Sequence, residues 1–285
     1  MRKVVIPAAG FGTRLLTATK EMPKEMLPVF SKDANGGLRL KPALEVIFEE
    51  LHNFGIRDFC FVVGRTKRAV EDHFTPDLGF LEFLSKKNKD DLAGELNAFY
   101  KKIADSNIIF VNQPEPRGFG DAVYRAKAFT SNESFLVHAG DDIILAEDSL
   151  HLQKLVELFE ETHADAAFLV QKVEDPRKYG VITGVELKPG IHEVTDIVEK
   201  PEKPPSNIAT VGVYVFTSKI YQAIEKAAPD EAGELQLTDA IKNLLLEGKP
   251  VYAIELLTNR KRIDIGTPAS YWDALRETLL ASGSG

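Results

Sequence analysis

The chain has 285 residues, 44% of them hydrophobic, so it can bury a full core and is not disordered by default. Its formal net charge of -8 and isoelectric point near 5.4 exclude nucleic acid and anionic membrane as bulk electrostatic partners; any phosphate it binds must meet a local cationic pocket. No apolar run approaches the ~20 residues of a membrane span, the opening MRKVVIPAAG enters a strand pattern without a signal-peptide layout, and a cytoplasmic location is expected.

Val4-Val5-Ile6 predicts a first strand, followed by a small-residue loop. Residues 43–53 read as a helix, 59–63 as a second strand and 67–74 as another helix, with Gly55 and Gly64 as punctuation. The second strand carries Cys60, the only cysteine, which reads as a buried thiol because a single cysteine forms neither a disulfide nor a metal cluster within one chain. Residues 81–104 are charged with apolar residues at helical spacing and predict helical surface structure. Strands resume at 108–111 and 135–137. Short apolar runs alternating with helical periodicity predict an α/β fold with a mainly parallel sheet.

The second half changes character. Residues 166–173, 181–187, 194–198 and 211–216 alternate or run apolar between turn signals, including Pro189-Gly190, and predict an antiparallel or mixed extension. Helices follow at 219–227, 237–247 and 269–280. No repeat and no long linker divides the chain. The expected organisation is one domain over residues 1–280, with halves at about 1–150 and 151–280, and a flexible tail at 281–285.

Directly after the first strand stands Ala8-Ala9-Gly10-Phe11-Gly12-Thr13-Arg14, a loop expected to turn into a helix. Small residues let backbone N–H groups approach phosphate oxygens, and the end of a parallel strand is where ligands bind. A dinucleotide fingerprint fails here because Leu15 takes the third glycine position, and a Walker loop fails because Gly-Lys-Ser/Thr is absent. What remains is an arginine at the loop's end, then Lys20 and Lys24, enough positive charge to hold a triphosphate or simply a solvated run.

The segment AAGFGTRLLTATKEMPKEMLPV resembles the signature of bacterial UTP:glucose-1-phosphate uridylyltransferases, within the sugar-phosphate nucleotidyltransferase family. The likeness continues in family order: Gln113 to Ala122 looks like the base-reading segment, Ala139-Gly140-Asp141-Asp142-Ile143 like the metal loop, and Val198-Glu199-Lys200-Pro201 like the sugar-phosphate site. Tyr179-Gly180-Val181, residues 233–240 and Asp264-Ile265-Gly266-Thr267-Pro268 complete it. The resemblance implies a Rossmann-like mixed sheet flanked by helices, with a smaller antiparallel sugar-binding extension. It implies UTP and a sugar 1-phosphate as partners, Mg2+ as cofactor, and a homodimer or homotetramer.

Residue by residue, the resemblance gives nucleotide contacts to Ala8, Ala9, Gly10, Gly12, Gln113 and Gly118, sugar contacts to Gly180, Glu199 and Lys200, and metal binding to Asp141 and Asp264. Arg14 and Lys24 would hold the departing pyrophosphate and Lys200 would orient the sugar phosphate. Plainer readings stand beside these: Gln113 as a strand cap, the aspartates as turn residues, Glu199 and Lys200 as a surface pair, Gly180 as a turn glycine. Asp142 reads as a structural group. The chain departs from the family in the longer FSKDANGGLRLKPA after Val29, in Asp121 where histidine is general, and in Val213 where many members have arginine; its DIGTP ending looks like the thymidylyltransferase branch. A dTTP-dependent glucose-1-phosphate thymidylyltransferase and a non-catalytic nucleotide-sugar-binding protein are therefore the competing readings.

Overall fold

Val4, Val5 and Ile6 are fully buried in the first strand, β1 (Lys3–Pro7), with Val4 and Ile6 in one apolar layer and Val5 in a second. A strand covered on both faces shows no polar alternation, which is why it reads as a continuous apolar run. The computed structural model describes residues 1–33, 35–146 and 148–283. In chain order the further strands are β2 (Pro28–Lys32), β3 (Leu38–Pro42), β4 (Asp58–Val63), β5 (Asn107–Asn112), β6 (Phe135–His138) and β7 (Asp142–Leu145). Then come β8 (Ala166–Lys172), β9 (Gly180–Lys188), β10 (Ile191–Glu199), β11 (Ile208–Phe216), β12 (Val251–Glu255) and β13 (Lys261–Asp264).

One nine-stranded sheet has the order β5-β4-β1-β6-β11-β8-β12-β10-β9. Only β10 and β11 run against the other seven strands, so the sheet is the mixed, mainly parallel one expected. Helices Ala43–Phe54, Asp90–Ala104 and Leu150–Glu161 pack into the layer on one face; Phe119–Arg125, Lys219–Glu225 and Leu237–Leu246 pack into the other. β9 returns to β11 through the pair Val181–Ala209, so the strands from β11 to β9 curl back on themselves. This curl is the antiparallel extension. It carries the start of β9 and the end of β10 to the start of β11, beside the carboxyl ends of the parallel strands.

The periodic helices fall where their spacing put them, and residues 81–104 divide into Leu78–Lys86 and Asp90–Ala104. The phosphate loop corrects one expectation. It does not turn into an α-helix but continues through 3₁₀ turns at Thr13–Leu15, Ala18–Lys20 and Lys24–Met26, and the first α-helix begins only at Ala43. The loop therefore offers open backbone and side-chain cations instead of an α-helix N-terminus. The longer segment after Val29 is a ribbon of β2 and β3, clasped by the last helix, Pro268–Ala281: Tyr271 Oη donates to the Pro28 carbonyl (2.9 Å) and the Phe30 N–H donates to Thr278 Oγ1 (3.2 Å).

Part of the segment expected as a tail, 281–283, is ordered. Ala281 is still helical, Ser282 and Gly283 donate backbone N–H groups to Thr278 and Leu280, and Ser284 and Gly285 lie outside the described residues. Cys60 is the buried strand thiol expected, its pKa pushed up to about 12 by burial. No helix among the described residues is long and apolar enough to cross a membrane.

Candidate active site

β1 ends at Pro7 and β5 at Asn112, and the loops after them border a cavity of about 190 Å³ lined by Ala9, Gly10, Lys24, Gln113, Gly118 and Asp141 among others. Gly118 is held there by necessity. Its φ of 96° is a left-handed conformation, and a Cβ would come within 2.5 Å of the Leu235 carbonyl oxygen. Around it the chain is zipped to the 234–236 loop: the Leu235 N–H donates to the Arg117 carbonyl and the Gly120 N–H to the Leu235 carbonyl, each at 2.8 Å. Gln113 is buried, with its N–H on the Val63 carbonyl (2.8 Å) and Nε2 donating to Asp121 Oδ2 (2.8 Å) and the Gly118 carbonyl (3.1 Å).

Two of the expected nucleotide contacts already carry bonds that hold the loop. The Ala8 N–H donates to the Val62 carbonyl at 2.8 Å and its side chain is buried, so Ala8 supports the loop from below and has no N–H left for a phosphate. Gly12, with φ 63°, turns the loop, its carbonyl accepting from Thr19 Oγ1 at 2.8 Å; it does not line this cavity.

Lys24 ion-pairs with Asp141 at the cavity wall. Burial works against its charge, but Asp141, Glu25 and Asp264 raise its pKa above the usual lysine range. For Asp141, burial is outweighed by Lys24, which holds the carboxyl below its usual range. Behind them lies a pair that sequence reading missed: Glu25 and Lys67, 2.7 Å apart, each side chain only 2% exposed. Burial pushes the Glu25 pKa up against the pull of Lys67.

The ribbon of β7 and β13 sets Asp264 opposite Asp142, and the Ile265 N–H donates to the Asp141 carbonyl (3.1 Å). Asp142 is the structural group expected: its oxygens accept from Arg262 Nε and the Gly212 N–H, at 2.8 and 3.1 Å. The Arg262 guanidinium in turn sits 5.0 Å over the Tyr179 ring. Burial, then Asp142 and Asp141, push the Asp264 carboxyl up to about 6. Such crowding of carboxylates fits a divalent cation, because positive charge relieves the repulsion and hard oxygens are its preferred donors. Arg14 is exposed and lies on this side, its Nη2 3.2 Å from where a Cβ on Gly266 would stand, not in the Lys24 cavity. Glu186, His192 and Glu255 also group closely, but at the other end of β10 from Glu199, where Lys172 already stands 3.1 Å from Glu255.

A second cavity, of about 160 Å³, adjoins the first at Phe119 and is lined by Gly180, Glu199, Thr210 and Thr238 among others. A Cβ on Gly180 would come within 2.7 Å of Thr238 Cγ2, so the glycine opens this cleft. Thr238 Oγ1 donates to Glu199 Oε2 (3.1 Å), and Lys200 Nζ is 3.0 Å from Glu199 Oε1. The Lys200 N–H donates to the Tyr179 carbonyl (3.0 Å), holding its φ at 39° and its exposed ammonium at the rim. A third cavity, of about 260 Å³, shares Tyr179 and Arg262 with the second and contains Asp264. A larger one, of about 510 Å³, lies apart between the β2–β3 ribbon and helix Asp90–Ala104, where its charges mostly pair with each other.

A cleft presenting an amide and backbone groups, a cation beside carboxylates, and an adjoining cleft of hydroxyl and carboxylate groups define a nucleotide-dependent transferase of the α/β class. The chain belongs to the nucleotidyl transferase family, whose model matches residues 3–280. A UTP–glucose-1-phosphate uridylyltransferase of Streptococcus pneumoniae serotype 4 is 42% identical over 251 residues, 86% of this chain and 80% of that protein. One of Bacillus subtilis strain 168 is 40% identical over 271 residues, 93% of this chain and 87% of the relative. A UTP-bound UGPase from Acinetobacter baumannii superposes with a TM-score of 0.83 at 30% identity, covering 98% of this chain and 94% of that one.

Proposed function

We propose that this protein joins UTP to glucose 1-phosphate, releasing pyrophosphate and UDP-glucose, with Mg2+ as its metal. The observation that carries the reading is the Lys24–Asp141 pair, set in one cavity wall with Gln113 and Gly118 and next to the cleft of Glu199 and Thr238. The activity named for the relatives supports the choice of UTP and glucose 1-phosphate.

Both reactants are anions, and the attacking group is the sugar phosphate itself. Catalysis therefore needs neutralisation and alignment more than a protein nucleophile. Gln113 and the backbone at Gly118 hold the base; Ala9 and Gly10 let the phosphates approach. Lys24 donates one hydrogen bond to Asp141 and keeps two for phosphate oxygens, and Arg14, beside Gly266, would meet the departing pyrophosphate from the Asp264 side. Glu199 and the space at Gly180 take the sugar hydroxyls, and Lys200 turns the sugar phosphate toward the α-phosphorus. Mg2+ held by Asp141 and Asp264 would supply charge neutralisation on the phosphate oxygens.

Product formation is expected to stop in excess EDTA and to return with Mg2+. Asp141→Asn should raise the Mg2+ concentration needed for half-maximal rate, since a neutral amide is a poorer ligand for a hard cation. Full activity in EDTA contradicts the metal assignment. The thymidylyltransferase-like DIGTP ending has a local explanation: Thr267 caps helix Pro268–Ala281 with Ser270, and Pro268 opens it. Val213 is buried in β11 opposite His138, inside the core. Neither departure lines the cavity that Gln113 and Gly118 border, whereas Asp121 is bonded to Gln113.

A further inference from the structure

Asp121 is 5% exposed and lies in the first turn of helix Phe119–Arg125, behind the base cleft. Its Oδ2 accepts from Gln113 Nε2 at 2.8 Å; Arg125, one turn on, donates to it from Nε (3.3 Å) and to Oδ1 from Nη2 (3.1 Å). The second proton of Gln113 Nε2 goes to the Gly118 carbonyl at 3.1 Å. Both partners of Nε2 are acceptors, so the amide has one workable orientation. In that orientation no donor among the described residues reaches Gln113 Oε1, and Gln113 lines the cavity.

The geometry points to Asp121 as a specificity-determining positioning residue: by holding the Gln113 amide with Oε1 toward the cleft, it selects bases that carry a proton on N3. Uracil and thymine donate N3–H to such an oxygen. Cytosine presents a lone pair at N3, and two acceptors would face each other. Turning the amide over to suit cytosine would set Gln113 Oε1 against the Asp121 carboxylate and the Gly118 carbonyl and lose a charge-assisted hydrogen bond. Asp121 does not touch the nucleotide; it acts through Gln113, with Arg125 fixing the carboxylate. The inference rests on the nucleotide-binding reading of this cleft.

Calorimetric titration of UTP and CTP with Mg2+ and no sugar phosphate tests it without turnover. The unaltered protein should bind UTP at least tenfold more tightly than CTP. In Asp121→Leu, Gln113 Nε2 loses its charge-assisted acceptor, and only the Gly118 carbonyl (3.1 Å) still opposes a turned amide. The UTP-to-CTP affinity ratio should fall about tenfold or more. Arg125→Met keeps the aspartate–glutamine bond and should leave that ratio within about threefold, whereas general loosening of the helix would weaken both nucleotides alike. An unchanged ratio in folded Asp121→Leu overturns the inference, as does equal binding of UTP and CTP by the unaltered protein, a result available even if the variant fails to fold. Selective UTP binding without product formation would strike the proposed reaction and leave the amide lock standing. Absence of nucleotide binding would overturn both.

Discussion

Lys24→Ala is expected to lower kcat/KM for the nucleotidyl transfer about 10²- to 10³-fold, the usual cost of removing one preorganised electrostatic contact from a reacting group. The neighbourhood accounts for a loss of that size. Three carboxylates, Asp141, Glu25 and Asp264, act on the Lys24 ammonium, and without it they would face the incoming phosphates uncompensated. Lys24 lies in a 3₁₀ turn at the cavity wall, outside the two apolar layers, so the fold should survive its truncation. Pyrophosphate release measured beside a melting curve checks this; a folded variant with near-normal rates would remove Lys24 from the machinery.

Lys67→Met is expected to destabilise the protein by about 3–5 kcal/mol, the range for stripping one partner from a buried ion pair. Glu25 would be left as a bare charge beneath the active-site loop, and its raised pKa already records how strongly burial opposes that charge. The loss should shrink in acid, where Glu25 takes up a proton and the bare charge disappears. The double variant Glu25→Gln, Lys67→Met should recover much of the stability, because neither charge then remains unpaired. Urea unfolding of the parent and the two variants, at neutral and acid pH, reads all of this. A single variant as stable as the parent would mean that the pair is solvated.

Most central strands and periodic helices were legible because burial on both faces, or on one helical stripe, leaves a period in the sequence. Val4-Val5-Ile6 and residues 43–53 are instances; strand Val251–Glu255 and helix Leu150–Glu161 went unread. The β2–β3 ribbon and the β7–β13 ribbon were not legible, since strands of four or five residues with charged positions such as Lys32, Arg39 and Arg262 show neither pattern clearly. Their pairing is non-local: Asp142 meets Asp264 only through the fold.

The candidate site shows the same division. Lys24, Gln113, Gly118, Glu199 and Asp141 stand in motifs, and the fold gathers them along one edge of the sheet. Lys67 sits in the run GRTKRAV, which reads as a solvated charge cluster, and nothing in the sequence pairs it with Glu25. Ala8 shows the reverse case. Its place in the glycine loop suggested a phosphate contact, but register with β4 consumes its N–H.

The direct test of the account is a competition. The purified protein, with Mg2+ and glucose 1-phosphate, is given UTP and dTTP at equal concentration, and the nucleotide sugars are separated and counted. The account predicts UDP-glucose as the majority product, by a modest margin because uracil and thymine differ by one methyl group, worth about 1–3 kcal/mol in a fitted pocket. A majority of dTDP-glucose would contradict the choice of UTP, and the absence of any nucleotide sugar would contradict the reaction itself.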